Sequence, residues 1–244
     1  MTTVRNVPNL DVLIDEASTQ FVETIETIVS TPTGGVHGDG IARVVFTGGG
    51  AGIKLLSRLV RAKIDWTRVH VFFGDERNVP VYDPDSNEGQ ARYALLNHVS
   101  IPEAHIHGYR PGSGRLDEAA SNYEDAIRRH APEGFDLHLM GMGPDGHVNS
   151  LFPNSEQQDE TEKLVVAVTE SPKPPAERLT LTYPGISRAE EVWLLVSGSE
   201  KAEATAALLK DSPTPQWPGS RVPELAKTTL FVTDDAYGLS LIHI

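Results

Sequence analysis

Apolar residues recur along this chain in two rhythms. From Leu10 to Ile28, the residues Leu10, Leu13, Ile14, Ala17, Phe21, Ile25 and Ile28 fall at helical spacing. They predict an amphipathic helix with Asn9 placed to cap it. Thr31 to Gly40, TPTGGVHGDG, has turn composition and no period, so it predicts a loop whose Gly34, Gly35 and His37 serve turn geometry. From Ile41 onward short β-branched runs take over. IARVVFT (Ile41 to Thr47) precedes GGGAG and the helical KLLSRLVRAK, and VHVFF (Val69 to Phe73) precedes GDERNVPVYDPDS and the helical NEGQARYALLNHV. The stretch Arg115 to His130, with Leu116, Ala119, Ala120, Tyr123 and Ile127 on one face, leads into FDLHLM (Phe135 to Met140). KLVVAV (Lys163 to Val168), RLTLTYP, VWLLVSG and TTLFV (Thr228 to Val232) read as further strands, with helix-like GISRAE, helical KAEATAALLK and the proline-rich loop DSPTPQWPGSRVP among them.

Wholly apolar strands separated by helices predict an α/β fold in three layers, a mostly parallel sheet with helices on both faces. No repeat, linker or low-complexity segment interrupts the pattern, so residues 1–244 read as a single domain. The closing LSLIHI, Leu239 to Ile244, is an apolar tail without a turn signal. It reads equally as a strand end or as a non-native remnant.

Composition narrows the function more than the fold. No apolar run approaches the roughly 20 residues of a membrane span, and MTTVRNVPNLDVLIDEA has no basic region followed by an apolar block, so a cytoplasmic protein is expected. There are no cysteines, which excludes disulfide and thiolate chemistry and leaves histidine and carboxylate as the only metal ligands. A formal charge of −13 repels nucleic acid and anionic membranes. The expected partner is a small molecule, and nothing in the pattern speaks to oligomeric state. An anionic substrate on such a surface needs a local pocket of cations and helix N-termini.

Candidate chemistry collects where strands end. VVFT runs into GGGAG, VHVFF into GDER, FDLHLM into GMGPDGH, and VWLLV into SGSEK; in an open parallel sheet all four lie at the carboxyl edge, where ligands bind. Gly48, Gly49 and Gly50 can turn their amides to an anion at a helix N-terminus, or simply make a tight turn. Their spacing matches neither G-x-G-x-x-G nor G-x-x-x-x-G-K-[ST], so the fold is Rossmann-like without dinucleotide binding. Asp75, Glu76 and Arg77 sit in a loop by this reading, with Asp83 and Asp85 lacking EF-hand spacing; Arg77 can clamp a substrate oxygen or a developing oxyanion. His147 stands in a glycine-flexed turn two residues after Asp145, and a histidine ordinarily titrates near neutrality and can take a proton from water. His105 and His107 have strand spacing and could ligate a metal, but nothing nearby completes the set. Lys173, Arg178 and Lys201 supply cations around the later strands. Lys201 is at a helix N-terminal turn, unfavourable for a lysine unless an anion is present.

Taken together, GMGPDGHVNSLFP, VHVFFGDERNVP with DPDSN after it, SPKPPAERLTLTYPGI and VSGSEKA resemble the 6-phosphogluconolactonase family, in order and over most of the chain. The resemblance implies hydrolysis of 6-phospho-D-glucono-1,5-lactone to 6-phosphogluconate in the pentose phosphate pathway, without metal or cofactor. It implies His147 as general base, Asp145 as its support or the substrate's, and Arg77 as charge stabiliser. Asp75 joins the substrate site by the same resemblance, and Gly48, Gly49, Gly50, Arg178, Lys201 and Lys173 fall to the phosphate. The family's first turn usually reads S-G-G-S or S-G-G-R before T-P. Here TGGGAG leaves Gly50 only its amide. Two alternatives stand beside this reading. A sister glucosamine-6-phosphate isomerase/deaminase carries F-N-E-P and D-E-Y where this chain has SLFPN and Asp75-Glu76-Arg77; a non-catalytic sugar-phosphate sensor has no need of Asp145 and His147.

Overall fold

The computed structural model describes residues 2–111, 115–210 and 212–238; the LSLIHI tail lies outside them. In chain order the elements are β1 (Thr3–Val7), α1 (Leu10–Val29), β2 (Ala42–Phe46), α2 (Gly49–Leu59), β3 (Val69–Phe73), β4 (Asp75–Arg77), α3 (Asn87–Ala94), α4 (Leu116–His130) and β5 (Phe135–Gly141). They continue through β6 (Val165–Val168), β7 (Arg178–Leu181), α5 (Tyr183–Ile186), β8 (Ala189–Val196), α6 (Ala202–Leu208), α7 (Val222–Leu225), β9 (Lys227–Thr233) and α8 (Asp234–Tyr237).

The apolar stripe of α1 does what its spacing predicts. The Asn9 side chain accepts a hydrogen bond from the Val12 amide at 3.1 Å, satisfying a donor that the first helical turn leaves open. Leu13, Ala17, Phe21 and Ile25 are fully buried, and each large side chain among them contributes about 1.5–3 kcal/mol of apolar burial.

Six strands form the main sheet in the order β1-β9-β8-β5-β2-β3, every neighbouring pair parallel. The chain steps outward from β2 to β3, then returns past β2 to β5 and continues to β8 and β9. That reversal makes the gap between β2 and β5 the switch point, where open α/β sheets present a crevice at their carboxyl ends. Because crossovers are right-handed, it also sets α2 and α4 on opposite faces. Helix α1 packs against α2, while α4 packs against β6 and β7.

Three features depart from the sequence pattern. β6 and β7 do not join the parallel sheet: with β4 they form a separate antiparallel sheet in the order β4-β7-β6. Asp75, Glu76 and Arg77 are therefore a strand rather than a loop, Asp75 opposite Thr180 and Arg77 opposite Arg178. β1, a mostly exposed strand with only Val7 buried, adds to the outer edge of β9. Among the described residues no helix is long and apolar enough to cross a membrane.

Candidate active site

The switch point brings two glycine-rich turns together. Strand β5 ends beside β2, where the Gly141 amide donates to Thr47 Oγ1 at 3.2 Å. The chain then folds back on itself: the Gly143 amide donates to the His147 carbonyl, and the Gly146 amide to the Gly143 carbonyl, both at 2.9 Å. A Cβ on Gly143 would lie 2.1 Å from Cε1 and Nδ1 of His147 and 2.5 Å from Asp145 Oδ1. No side chain fits there, so the imidazole rests against bare backbone. Gly146 has φ +76°, the left-handed region, and a Cβ on it would meet Trp217 at 2.7 Å. Both glycines are conformational or steric necessities of this turn.

That turn presents a dyad. His147 Nδ1 lies 2.5 Å from Asp145 Oδ1, an arrangement in which Nδ1–H donates to the carboxylate and Nε2 keeps its lone pair. The ring stacks on Phe152 with centroids 4.8 Å apart. Lys173 completes the group: its Nζ is 3.2 Å from Asp145 Oδ2 and 3.0 Å from His147 Nδ1. Burial favours the protonated Asp145 carboxyl, but the His147 hydrogen bond and the Lys173 charge outweigh it and hold the group well below the usual carboxylate range. The carboxylate stays ionised, and its negative charge fixes both partners.

Further cations approach from the second sheet. Arg178 is buried; it donates from Nε to the Pro175 carbonyl at 3.0 Å and from one terminal nitrogen to the carbonyls of Lys173 and Pro174 at 3.1 and 3.2 Å. Its guanidinium also sits over the Phe152 ring, 5.6 Å from the centroid. Arg178 thus holds the segment that carries Lys173. Arg77, its register partner, donates to the Asp85 carbonyl and anchors the loop before α3. Burial lowers the pKa of Lys201, Glu200 opposes this, and the charge of Lys173 lowers it further.

Gly48 is the N-cap of α2, and Gly49 and Gly50 form its first turn. A Cβ on Gly48 would strike Asn87 Oδ1 at 2.1 Å, whereas Gly49 and Gly50 face open space. Asp75 is buried and engaged: it accepts from Asn87 Nδ2 at 3.0 Å and from Ser150 Oγ at 2.7 Å. Glu76 accepts from the amides of Asn87 and Glu88 at 2.7 and 2.9 Å, fastening α3 to β4; burial nevertheless pushes its pKa up to about 6, with those hydrogen bonds opposing. These two carboxylates hold the framework between β4, α3 and the turn after His147.

Phe152 and Trp217 escaped the sequence reading. Phe152 lay in the motif itself as an apolar residue following the histidine turn. Trp217 stood in the proline-rich loop, where a large aromatic residue between prolines was the available signal. A cavity of about 1020 Å³ lies elsewhere, at the amino edge of the sheet. Its lining includes Asp15, Glu16, Glu23, Asp136, Glu190 and Glu191, so its charge is wrong for an anionic ligand. His105 and His107 are not isolated in space: His70 on β3 and His130 at the end of α4, distant in sequence, gather beside them.

The chain is similar to known proteins along most of its length. The family model described as glucosamine-6-phosphate isomerases/6-phosphogluconolactonase matches residues 8–231. The 6-phosphogluconolactonase of Mycobacterium leprae is 48% identical over 205 residues, covering 80% of this chain and 83% of that protein. That of Mycobacterium tuberculosis is 46% identical over 213 residues, covering 83% of each. Among solved structures, 6-phosphogluconolactonase from Thermotoga maritima superposes with TM-score 0.82 at 28% identity, covering 96% of this chain and all of that one. A monomeric glucosamine-6-phosphate deaminase superposes almost as well, TM-score 0.81 at 20% identity over 97% of this chain and 99% of its own, so the fold alone does not separate the two activities. On the extent of the family match and the identity to curated relatives, the chain belongs to the glucosamine-6-phosphate isomerase/6-phosphogluconolactonase family.

Proposed function

We propose that this chain hydrolyses 6-phospho-D-glucono-1,5-lactone to 6-phospho-D-gluconate in the pentose phosphate pathway, with His147 as general base. The observation that carries the reading is the His147–Asp145 pair with Lys173 against it. Nε2 takes a proton from water as the water oxygen attacks the lactone carbonyl; the ring C–O bond then breaks, and the proton passes to the departing ring oxygen. Asp145 holds the imidazole in the tautomer this requires, and Lys173 keeps Asp145 ionised and offers positive charge to the developing oxyanion. The phosphate is met by Lys201, Arg178, Arg77 and the open amides of Gly49 and Gly50 at the start of α2.

Two of these roles are narrower than the sequence suggests. Arg178 and Arg77 each spend donors on backbone carbonyls, so they shape the pocket as well as charge it. Asp75 supports the pocket through Asn87 and Ser150 rather than by facing the substrate. The whole chain acts as one catalytic domain, a reading supported by its continuous buried core. A cytoplasmic location belongs to the same proposal, since phosphorylated sugars do not cross membranes unaided.

Freshly generated lactone, followed above its spontaneous hydrolysis, tests the assignment. Wild type accelerates the reaction and His147→Ala loses about 10²–10⁴ of that acceleration. Equal rates for the two proteins would refute His147 as base, and ammonia release from glucosamine 6-phosphate would move the chain to the sister activity.

A further inference from the structure

Away from the proposed active site, four of the nine histidines gather beside the edge strand β3. His70 lies near the amino end of β3. The segment after it returns alongside: Ile106 bridges Val71 in parallel, and the His107 amide donates to the Val71 carbonyl at 2.8 Å. This places His105 and His107 next to His70, and α4 ends at His130 over the same spot. The rings of His70 and His105 stack at 3.9 Å, His107 and His130 at 4.3 Å, and His70 and His107 at 5.1 Å. His70 Nδ1 is 2.9 Å from His107 Nε2. Nitrogens of His70, His107 and His130 all lie within 4.8 Å of one another. Buried Nδ1 of His105 has no partner.

A structural explanation accounts for only one of these contacts. One imidazole hydrogen bond joins His70 to His107, which leaves the convergence of His130 and the buried unpartnered nitrogen of His105 unexplained. Neutral imidazoles are the form that ligates metals. The nearby arginines do not forbid a cation: Arg43 is neutralised by its two-point pair with Asp39 at 2.6 and 2.8 Å, while Arg110 and Arg129 are exposed to water.

We propose that His70, His107 and His130 form a binding site for one divalent transition-metal ion of the zinc class, separate from the proposed active site. Bonds of about 2.0–2.1 Å in tetrahedral array put ligand nitrogens about 3.3 Å apart. The present spacing, 2.9 Å for one pair and no more than 4.8 Å for the others, needs side-chain shifts on the order of 1 Å to reach it. An all-imidazole set without carboxylate or thiolate suits Zn²⁺, Co²⁺, Ni²⁺ or Cu²⁺ and not Ca²⁺ or Mg²⁺. The fourth position falls to water or, after rotation, to His105. The ion would tie β3, the 105–107 segment and the end of α4 into one unit, a structural rather than catalytic role.

The test uses untagged full-length protein stripped of metal, then exposed to Zn²⁺ or Co²⁺ and freed of excess by gel filtration. One Zn²⁺ per chain is expected, and a separate melt with free Zn²⁺ held at a hundredfold excess over Kd should show a rise in thermal midpoint of about 5 °C or more. Co²⁺ should give the visible bands of a tetrahedral site. His130→Gln, at a half-buried position, and His107→Phe, which keeps the ring stack, should each abolish stoichiometric binding and the bands. His147→Gln should retain both, excluding the proposed catalytic histidine as the ligand. Absence of stoichiometric metal in wild type, or binding unchanged in His130→Gln and His107→Phe, would overturn the proposal without reference to whether either variant is destabilised.

Discussion

At the carboxyl edge of the main sheet His147 lies against a carboxylate at 2.5 Å and an ammonium at 3.0 Å; beside β3, His70, His105, His107 and His130 stack mainly on one another. The same side chain is prepared for two kinds of chemistry by its neighbours. Asp145 gives His147 an acceptor for one ring N–H and leaves the other nitrogen with its lone pair, which suits proton transfer. Burial among like rings depresses protonation of His70 and His107 and brings their ring nitrogens and that of His130 within 4.8 Å of one another. A histidine count or a sequence spacing does not distinguish these cases; the identity of the group that faces the ring does.

Changes to the backbone and charges around His147 sharpen that contrast most. Gly143→Ala would place a methyl 2.1 Å from the imidazole, forcing the ring off Asp145. Lactone hydrolysis should fall about a hundredfold, because displacements of about 1 Å carry such penalties, while the histidines beside β3 keep their chemical shifts. A fall of less than twofold would mean that the ring position is not set by this contact. Lys173→Met keeps most of the side chain's length and removes its charge; kcat should fall on the order of tenfold, with the pH–rate profile shifted as the Asp145–His147 pair loses a neighbouring positive charge. An unchanged profile and rate would remove Lys173 from the dyad.

His138, which belongs to neither group, gives the smallest and cleanest comparison. It is fully buried in β5, and burial, weakly opposed by Asn149, pushes its pKa to about 3 from an ordinary 6.5. A depressed histidine pKa means that the unfolded chain binds the proton first. Stability is therefore complete above about pH 6.5 and is lost as pH falls toward 3, a contribution on the order of a few kcal/mol across that window. His138→Leu removes this term, so its thermal midpoint should decline less steeply between pH 7 and 4 than that of wild type. Parallel declines would show that His138 is not held neutral by the fold.

The central strands were legible because both faces of the sheet are covered. VVF, VHVFF, FDLHLM and VWLLV are almost wholly buried, and such strands leave continuous apolar runs in sequence. β1 was not legible, since TVRNV buries only Val7 and becomes a strand by pairing with the other end of the chain. β4 escaped for a similar reason: Asp75, Glu76 and Arg77 carry no β-pattern, and β7, about a hundred residues on, makes them a strand. The turn at Gly141 to His147 announced itself through glycines that the imidazole's position requires. Lys173 appeared only as one cation of three, because its place against Asp145 depends on Arg178 holding the intervening prolines. The partners of His105 and His107 were invisible for want of topology, which alone brings His70 and His130 beside them.

In the proposed mechanism Asp145 and His147 act as one unit on the lactone. The most direct test is a double-mutant cycle with Asp145→Asn, His147→Gln and the pair, measured as kcat for hydrolysis of 6-phospho-D-glucono-1,5-lactone above the spontaneous rate. The double variant should be no slower than His147→Gln alone, because Asp145 has nothing left to orient. Losses that multiply, with each substitution acting in full in the absence of the other residue, would contradict it.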